Sequence, residues 1–162
     1  MGNGNIKIVS KNSIYLVKIK GRATFEYAPT LKNFAGTILS ENISAIRIDL
    51  SECTWMDSTF MGTLAILGLK SREKSIPVTI HKASEKNMGL IKELGINILF
   101  LFSDNLESLD VDSPATGAIS HEEDMGRTML DAHQTLIDIN SQNAEKFDNV
   151  IDFIKKDIEK KR

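Results

Sequence analysis

Apolar residues in the first two thirds of the chain follow two different periods. Runs in which apolar and polar residues alternate, or in which β-branched residues dominate, predict strands. Stretches with apolar residues at spacings of three and four predict amphipathic helices. The predicted strands are residues 6–8, 14–21, 43–50, 77–80 and 96–102. The predicted helices are residues 27–38, 58–72, 84–93 and 104–109.

The order of these elements predicts the fold class. Two strands come first, with Asn12 and Ser13 as the turn between them. The later strands alternate with helices, and strands that are joined through helices usually lie parallel. Pro29 near the start of the first helix and Gly95 after the third are typical of helix boundaries. The sequence therefore predicts an α/β fold with a mixed, mostly parallel central β-sheet packed with helices.

The remainder of the chain has a different pattern. Small, polar and helix-breaking residues predict a linker over 111–119. This linker separates a domain at 1–110 from a C-terminal helical extension at 120–162. Ser120 and Glu123 have the spacing of a capping box, which predicts the start of the extension's first helix.

The C-terminal extension is predicted to be helical as far as about Lys160, with its break point in the polar segment 140–143. It carries an apolar stripe with a period of about 3.6 residues. The positions with this period are Met125, Met129, Ala132, Leu136, Ile139, Asn143, Phe147, Val150, Ile154 and Ile158, of which Asn143 alone is polar. Three surfaces could cover it: its own domain, a second copy of the chain, or a helix of another protein. Because the stripe is long, we favour an intermolecular role, with a homodimer through the C-terminal helices as one form.

Composition and charge exclude several classes of protein. The 162 residues include 20 basic and 22 acidic side chains, a balance that argues against a direct nucleic-acid binder. Residues 1–120 carry 13 basic and 12 acidic residues, so the negative charge lies in the extension. No apolar run is long enough for a membrane span. The chain starts without a signal pattern and Cys53 is its only cysteine, so we expect a cytoplasmic protein without disulfides or a zinc site.

The most informative segment joins the third strand to the second helix. Asp57, Ser58 and Thr59 stand at the predicted start of that helix. A hydroxyl group there faces unpaired backbone N–H groups and the positive end of the helix dipole, an environment that accommodates a phosphate. From spacing alone the simpler interpretation is favoured, in which one of these residues is only the helix N-cap.

The same segment resembles a known family. Asp49-Leu-Ser51, a gap of four residues, and then Met56-Asp-Ser58 with Gly62 beyond are similar to the signature of STAS domains. These are the anti-sigma factor antagonists and the related modules of sulfate transporters and bacterial stressosomes. The resemblance covers about residues 5–110 and implies the fold that the element order predicts.

The resemblance also implies a function. The chain is expected to be a non-enzymatic, phosphorylation-regulated protein-binding module in a bacterial partner-switching pathway that controls transcription. Ser58 corresponds to the phosphorylated residue, with Thr59 as the second choice. The implied partners are an anti-sigma factor or a serine switch kinase, and a PP2C-type phosphatase. The expected partner-binding residues are Trp55, Asp57, Ser58, Thr59, Phe60 and Met61. No cofactor is implied.

Phe60 departs from the family pattern, which has glycine at this position. Its ring could present an aromatic anchor to a partner or could block the usual one. Phe60 also motivates an alternative function, an oligomeric scaffold or adaptor that uses the C-terminal helices without phosphoswitching. Trp55, in a predicted loop, could anchor a partner or pack over the sheet edge.

Catalysis by Ser58 or Cys53 is not expected. The surroundings of Ser58 do not match the Gly-x-Ser-x-Gly pattern of hydrolases, and no histidine lies near Cys53 in the sequence. His121 and His133 in the extension are expected to be surface residues.

Overall fold

The computed structural model describes residues 4–38, 40–105 and 122–160. The strands in this part of the chain are β1 (Asn5–Lys11), β2 (Ile14–Ala23), β3 (Ala45–Met56), β4 (Val78–His81) and β5 (Leu101–Ser103). The α-helices are α1 (Ala28–Thr37), α2 (Ser58–Glu73), α3 (Glu85–Glu93), α4 (Glu122–Ile139) and α5 (Asn143–Lys160). Short 3₁₀ helices cover Phe25–Tyr27 and Ile96–Leu99.

The five described strands form one sheet in the order β1-β2-β3-β4-β5. β1 pairs antiparallel with β2, and the other neighbours are parallel. The predicted mixed, mostly parallel sheet is therefore confirmed. Asn12 and Ser13 form the predicted turn, and both have positive φ angles, 53° and 66°. Positive φ at both central residues is typical of the tight turns that suit the twist of a hairpin.

The apolar core forms where the central strands meet the helices. Ile46, Ile48 and Leu50 of β3 are at most 1% exposed. Leu31 of α1 and Leu64 of α2 belong to the same apolar cluster. A strand in the middle of a parallel sheet is covered on both faces, which explains why β3 is so rich in apolar residues.

β3 is longer than predicted, because it continues to Met56 rather than ending at Leu50. Its second half pairs with the end of β2, from Lys20 opposite Glu52 to Ala23 opposite Met56, with a shift of register between Gly21 and Arg22. Several side chains of this half are exposed, so it lacks the apolar pattern by which the first half was predicted. Pairing with a neighbouring strand, rather than local pattern, makes it a strand.

The last predicted strand, 96–102, is wrong in its first half. Gly95 has a φ of 77°, and Ile96–Leu99 form a 3₁₀ helix before β5 begins. Residues three apart share one side of a 3₁₀ helix. Ile96 and Leu99 are therefore buried, whereas Ile98, which a strand would place beside Ile96, is 64% exposed. The predicted helix 104–109 lies mostly outside the described residues.

The C-terminal extension contains two helices, α4 and α5, that are separated at 140–142, within the predicted break. They run antiparallel, since Gly126 contacts Ile158 and the ring of His133 packs against that of Phe147. We refer to α4 and α5 together as the C-terminal hairpin. The predicted linker 111–119 and the capping-box residue Ser120 lie outside the described residues, so the domain boundaries stay predictions.

The C-terminal hairpin packs on its own domain. α4 contacts α2 and α1, and α5 packs on α4. The buried residues of the hairpin include Ala132, Leu136, Phe147, Ile151 and Ile154. Most of the apolar stripe is thus covered within one chain, because the small residues of α2 let α4 approach closely, whereas the sequence favoured an intermolecular role. Val150 is 37% exposed, and a homodimer stays a prediction. Among the described helices, none is both long and apolar enough to cross a membrane.

Candidate functional site

The junction between β3 and α2 is organised by Asp57, the N-cap of α2. One carboxylate oxygen accepts a hydrogen bond of 2.8 Å from the backbone N–H of Phe60. The other accepts one of 2.7 Å from the backbone N–H of Phe25. Burial raises the pKa of Asp57, and these backbone hydrogen bonds oppose the increase because they favour the charged form. Of the three N-cap candidates in the sequence, Asp57 is therefore the one that caps the helix.

Ser58 is the first residue of α2, and its side chain makes a contact that the sequence did not predict. Its hydroxyl oxygen lies 2.8 Å from Nε2 of His133 in α4. Nδ1 of His133 lies 2.7 Å from the backbone oxygen of Met129. A carbonyl oxygen only accepts hydrogen bonds, so Nδ1 carries the proton and Nε2 is the acceptor. The Ser58 hydroxyl therefore donates its hydrogen bond to His133.

His133 is held as a neutral side chain inside the interface. It is 3% exposed, and the ring of Phe147 packs edge-on against it with 5.0 Å between the centroids. Burial lowers the pKa of His133, while the hydrogen bond to Met129 and the charge of Asp57 act in the opposite direction. The expectation of a surface histidine is wrong for His133. His121 lies outside the described residues.

α2 and α4 approach most closely beside this pair of residues. A Cβ atom at Gly62 would lie only 2.4 Å from the backbone oxygen of Ala132. Glycine is the only residue that permits such an approach. Next to Ala132 in α4, Asp131 forms a 2.7 Å ion pair with Lys32 of α1. The start of α2 is therefore covered by a helix of the same chain.

Three of the expected partner-binding residues are buried. Thr59, Phe60 and Met61 are 5%, 0% and 4% exposed. The interpretation of Phe60 as an exposed aromatic anchor does not hold in this structure, because its ring lies in the apolar core. Asp57 and Ser58 are half-buried.

Trp55 lies in β3 and not in a loop. The guanidinium group of Arg22, its partner residue in β2, lies 4.5 Å from the centre of the indole ring. This cation–π contact occupies one face of the ring, and the rest of the side chain is only half-buried. Trp55 thus packs on the sheet and leaves part of its surface open.

Cys53 has the properties of a structural residue. It is 5% exposed, and its sulfur lies 3.5 Å from the backbone oxygen of Trp55. Burial raises the pKa of its thiol, which keeps it protonated and poorly nucleophilic. Among the residues that the structure describes, no group of three or more His, Cys, Asp or Glu side chains could hold a metal ion.

His133 is the functional candidate that the sequence missed. A separation of 75 residues hides its contact with Ser58. One signal was present: His133 is four residues after Met129 and three before Leu136, so it shares their helix face. A histidine within an apolar stripe is a sign of burial.

Residues 5–109 match the family model of the STAS domain. α4 and α5 lie beyond the matched range. No curated protein sequence matches the chain.

Two solved structures are similar in fold. One is an anti-sigma factor antagonist from Mycobacterium paratuberculosis, with a TM-score of 0.53 and 20% identity over 65% of this chain and 89% of that one. The other is the anti-sigma factor antagonist SpoIIAA in its unphosphorylated form. Its TM-score is 0.55, and its identity is 9% over 60% of this chain and 87% of that one.

Proposed function

We propose, since this chain belongs to the STAS domain family, that it is a non-enzymatic protein-binding module in a bacterial partner-switching pathway. Phosphorylation of Ser58 controls its docking to partners. The partners are an anti-sigma factor or a serine switch kinase, with a PP2C-type phosphatase to remove the phosphate. The output is regulation of transcription in the cytoplasm. The two similar structures are named as anti-sigma factor antagonists, which supports this choice of partners.

One observation carries the proposal. The N-cap role belongs to Asp57, whose two carboxylate oxygens accept hydrogen bonds from Phe60 and Phe25. The Ser58 side chain is therefore not needed to cap α2, and its hydroxyl points away from the helix toward another element. A serine that begins a helix without capping it can carry a modification without loss of the cap.

The physical effect of the modification follows from its charge. A phosphate on Ser58 adds about −1.5 to −2 charges at neutral pH, directly beside the carboxylate of Asp57. A partner that docks over this position would have to desolvate both negative groups. Phosphorylation therefore weakens docking through charge and desolvation rather than by unfolding the domain.

The proposal is tested in two steps. Phosphosite mapping on protein from its native cells establishes whether Ser58 is modified. Binding to a serine kinase or anti-sigma factor encoded beside the gene is then compared for the parent, Ser58→Ala and Ser58→Asp. We expect Ser58→Asp to weaken binding and Ser58→Ala to retain it. Thr54→Asp, at an exposed position in β3, is the matched control for added charge. Equal affinity of the parent and both Ser58 variants would refute the mechanism.

The alternative function, an oligomeric scaffold or adaptor, has one supporting observation. Phe153 and Val150 on the outer side of α5 are 73% and 37% exposed. Two apolar side chains one turn apart could join two hairpins into a dimer. The alternative predicts that the full chain is a dimer in light scattering and that Phe153→Ser makes it monomeric. A parent chain that is monomeric at high concentration would count against this function.

A further inference from the structure

We infer that the C-terminal hairpin is an intramolecular competitor that covers the α2 docking surface, and that a phosphate on Ser58 displaces the hairpin from this surface just as it displaces a partner. In the closed state α4 covers the start of α2. A partner must displace α4 to reach that surface. The inference rests on the proposed function only for the identity of the surface that partners use.

The first support is the contact between Ser58 and His133. The 2.8 Å distance between the hydroxyl oxygen and Nε2 leaves no room for a phosphate group in the same direction. A phosphorylated serine also has no hydroxyl proton to donate to Nε2. Nδ1 is held by the backbone oxygen of Met129, so the ring cannot turn to offer its proton without losing that bond. The unmodified serine therefore fits the closed state, and the phosphoserine does not.

The charges around His133 lead to the same conclusion. The buried imidazole interacts electrostatically with the carboxylate of Asp57, and the ring of Phe147 packs edge-on against it. A phosphate here would place a second negative group beside Asp57 within a largely apolar interface. Moving the hairpin away returns both negative groups to water.

The second support is the shape of the α2 surface. At Gly62 the backbone of α2 meets the backbone of α4 at Ala132, with no space for even one additional carbon atom. A partner cannot share this surface with α4. The occupant also indicates what the surface accepts: a helix with a small residue opposite Gly62 and a hydrogen-bond acceptor opposite Ser58. We therefore expect the competing partner to present such a helix.

The first test introduces phosphoserine at position 58 of the full chain during translation and measures amide hydrogen exchange. We expect exchange in α4 and α5 to rise by about tenfold or more, while β2 and β3 keep their protection. Phosphoserine in place of the exposed Thr54 is the matched control and should leave α4 and α5 protected. Unchanged protection of the hairpin with phosphoserine at 58 would overturn the inference. Either result is independent of whether a kinase modifies Ser58 in cells, so it is separate from the proposed function.

The second test opens the hairpin without phosphate. The thiol introduced by Ser58→Cys, in a Cys53→Ser background, is labelled with a maleimide in the full chain. Adding Ala132→Leu enlarges the side chain at the tightest point between α2 and α4, so labelling should accelerate by roughly tenfold. Gln134→Leu is the matched control on the exposed side of α4. Equal labelling rates for the Ala132 and Gln134 variants, with circular dichroism unchanged, would contradict a closed hairpin.

Discussion

The hydroxyl group of Ser58 donates a hydrogen bond of 2.8 Å to Nε2 of His133, across 75 residues of sequence. The same imidazole donates through Nδ1 to Met129 and packs against Phe147, so its orientation and protonation state are determined by α4 and α5. This polar contact lies within a closely packed interface between α2 and α4. Such a contact responds to a change of pH, to substitution and to modification.

We expect the stability of the chain to depend on pH through His133. Burial lowers its pKa in the folded state below the ordinary value of 6.5. As the pH falls below 6.5, the unfolded state binds the proton more readily than the folded state, so the free energy of unfolding decreases. It decreases by at most about 1.4 kcal/mol per pH unit, whereas above pH 7 the contribution of His133 is constant.

Urea unfolding of the parent and His133→Gln between pH 5.5 and 7.5 checks this prediction. The variant should have lower stability at pH 7.5 and a weaker dependence on pH. The pKa of Asp57 is raised above 3.8 in the folded state. In the acidic range just above 3.8, Asp57 therefore increases the free energy of unfolding as the pH falls, which is opposite to the effect of His133. Parallel pH curves for the two proteins would mean that His133 does not titrate differently on folding.

Asp57→Ala should destabilise the chain more than the loss of an ordinary N-cap. The carboxylate of Asp57 satisfies two backbone N–H groups, those of Phe60 and Phe25. Loss of one cap costs about 1 kcal/mol, so we expect a total of about 2 kcal/mol in urea unfolding. Ser84→Ala, which removes the single-bond N-cap of α3, is the matched comparison. A smaller effect at Asp57 than at Ser84 would contradict the double role.

Gly62→Ala should destabilise the chain, unlike alanine at a helical glycine that has open space around it. The added Cβ atom would lie 2.4 Å from the backbone oxygen of Ala132, and separating the helices costs about 1–3 kcal/mol. Gly89→Ala in α3 is the control, because a Cβ atom there meets nothing within 4 Å. That variant should gain about 0.5–1 kcal/mol of stability through helix propensity. Thermal unfolding that moves both variants in the same direction would disprove the close contact.

Asn143→Ala should loosen the C-terminal hairpin at its turn. The buried side-chain amide nitrogen of Asn143 donates to the backbone oxygens of Leu94, at 3.0 Å, and Leu136, at 2.8 Å. The backbone N–H of Asn140 still donates to Leu136, so the loss falls mainly on the buried contact with Leu94 and costs about 1–3 kcal/mol. Hydrogen exchange should therefore increase in α4 and α5. Gln142→Ala, next to Asn143 but exposed, is the control and should leave exchange unchanged.

Many of the described secondary-structure elements could be predicted from the sequence, because periodicity and capping are local. The spacing of Leu31 and Phe34 indicated α1, and Gly95 indicated the end of α3. The polar segment 140–143 indicated the break between α4 and α5. The signature around Ser58 indicated the start of α2 and the family. Each of these signals comes from residues that lie close to one another in the sequence, within about one or two helical turns.

The tertiary structure decided how these elements combine. The second half of β3 is a strand because β2 runs beside it, and its own residues do not require that. The apolar stripe of the extension determined that α4 and α5 must be covered, but not what covers them. The close fit of Gly62 against Ala132 selects the chain's own α2, and this placement brings His133 to Ser58. Complementary shape between distant segments is a property of the folded chain, which is why no local pattern contained it.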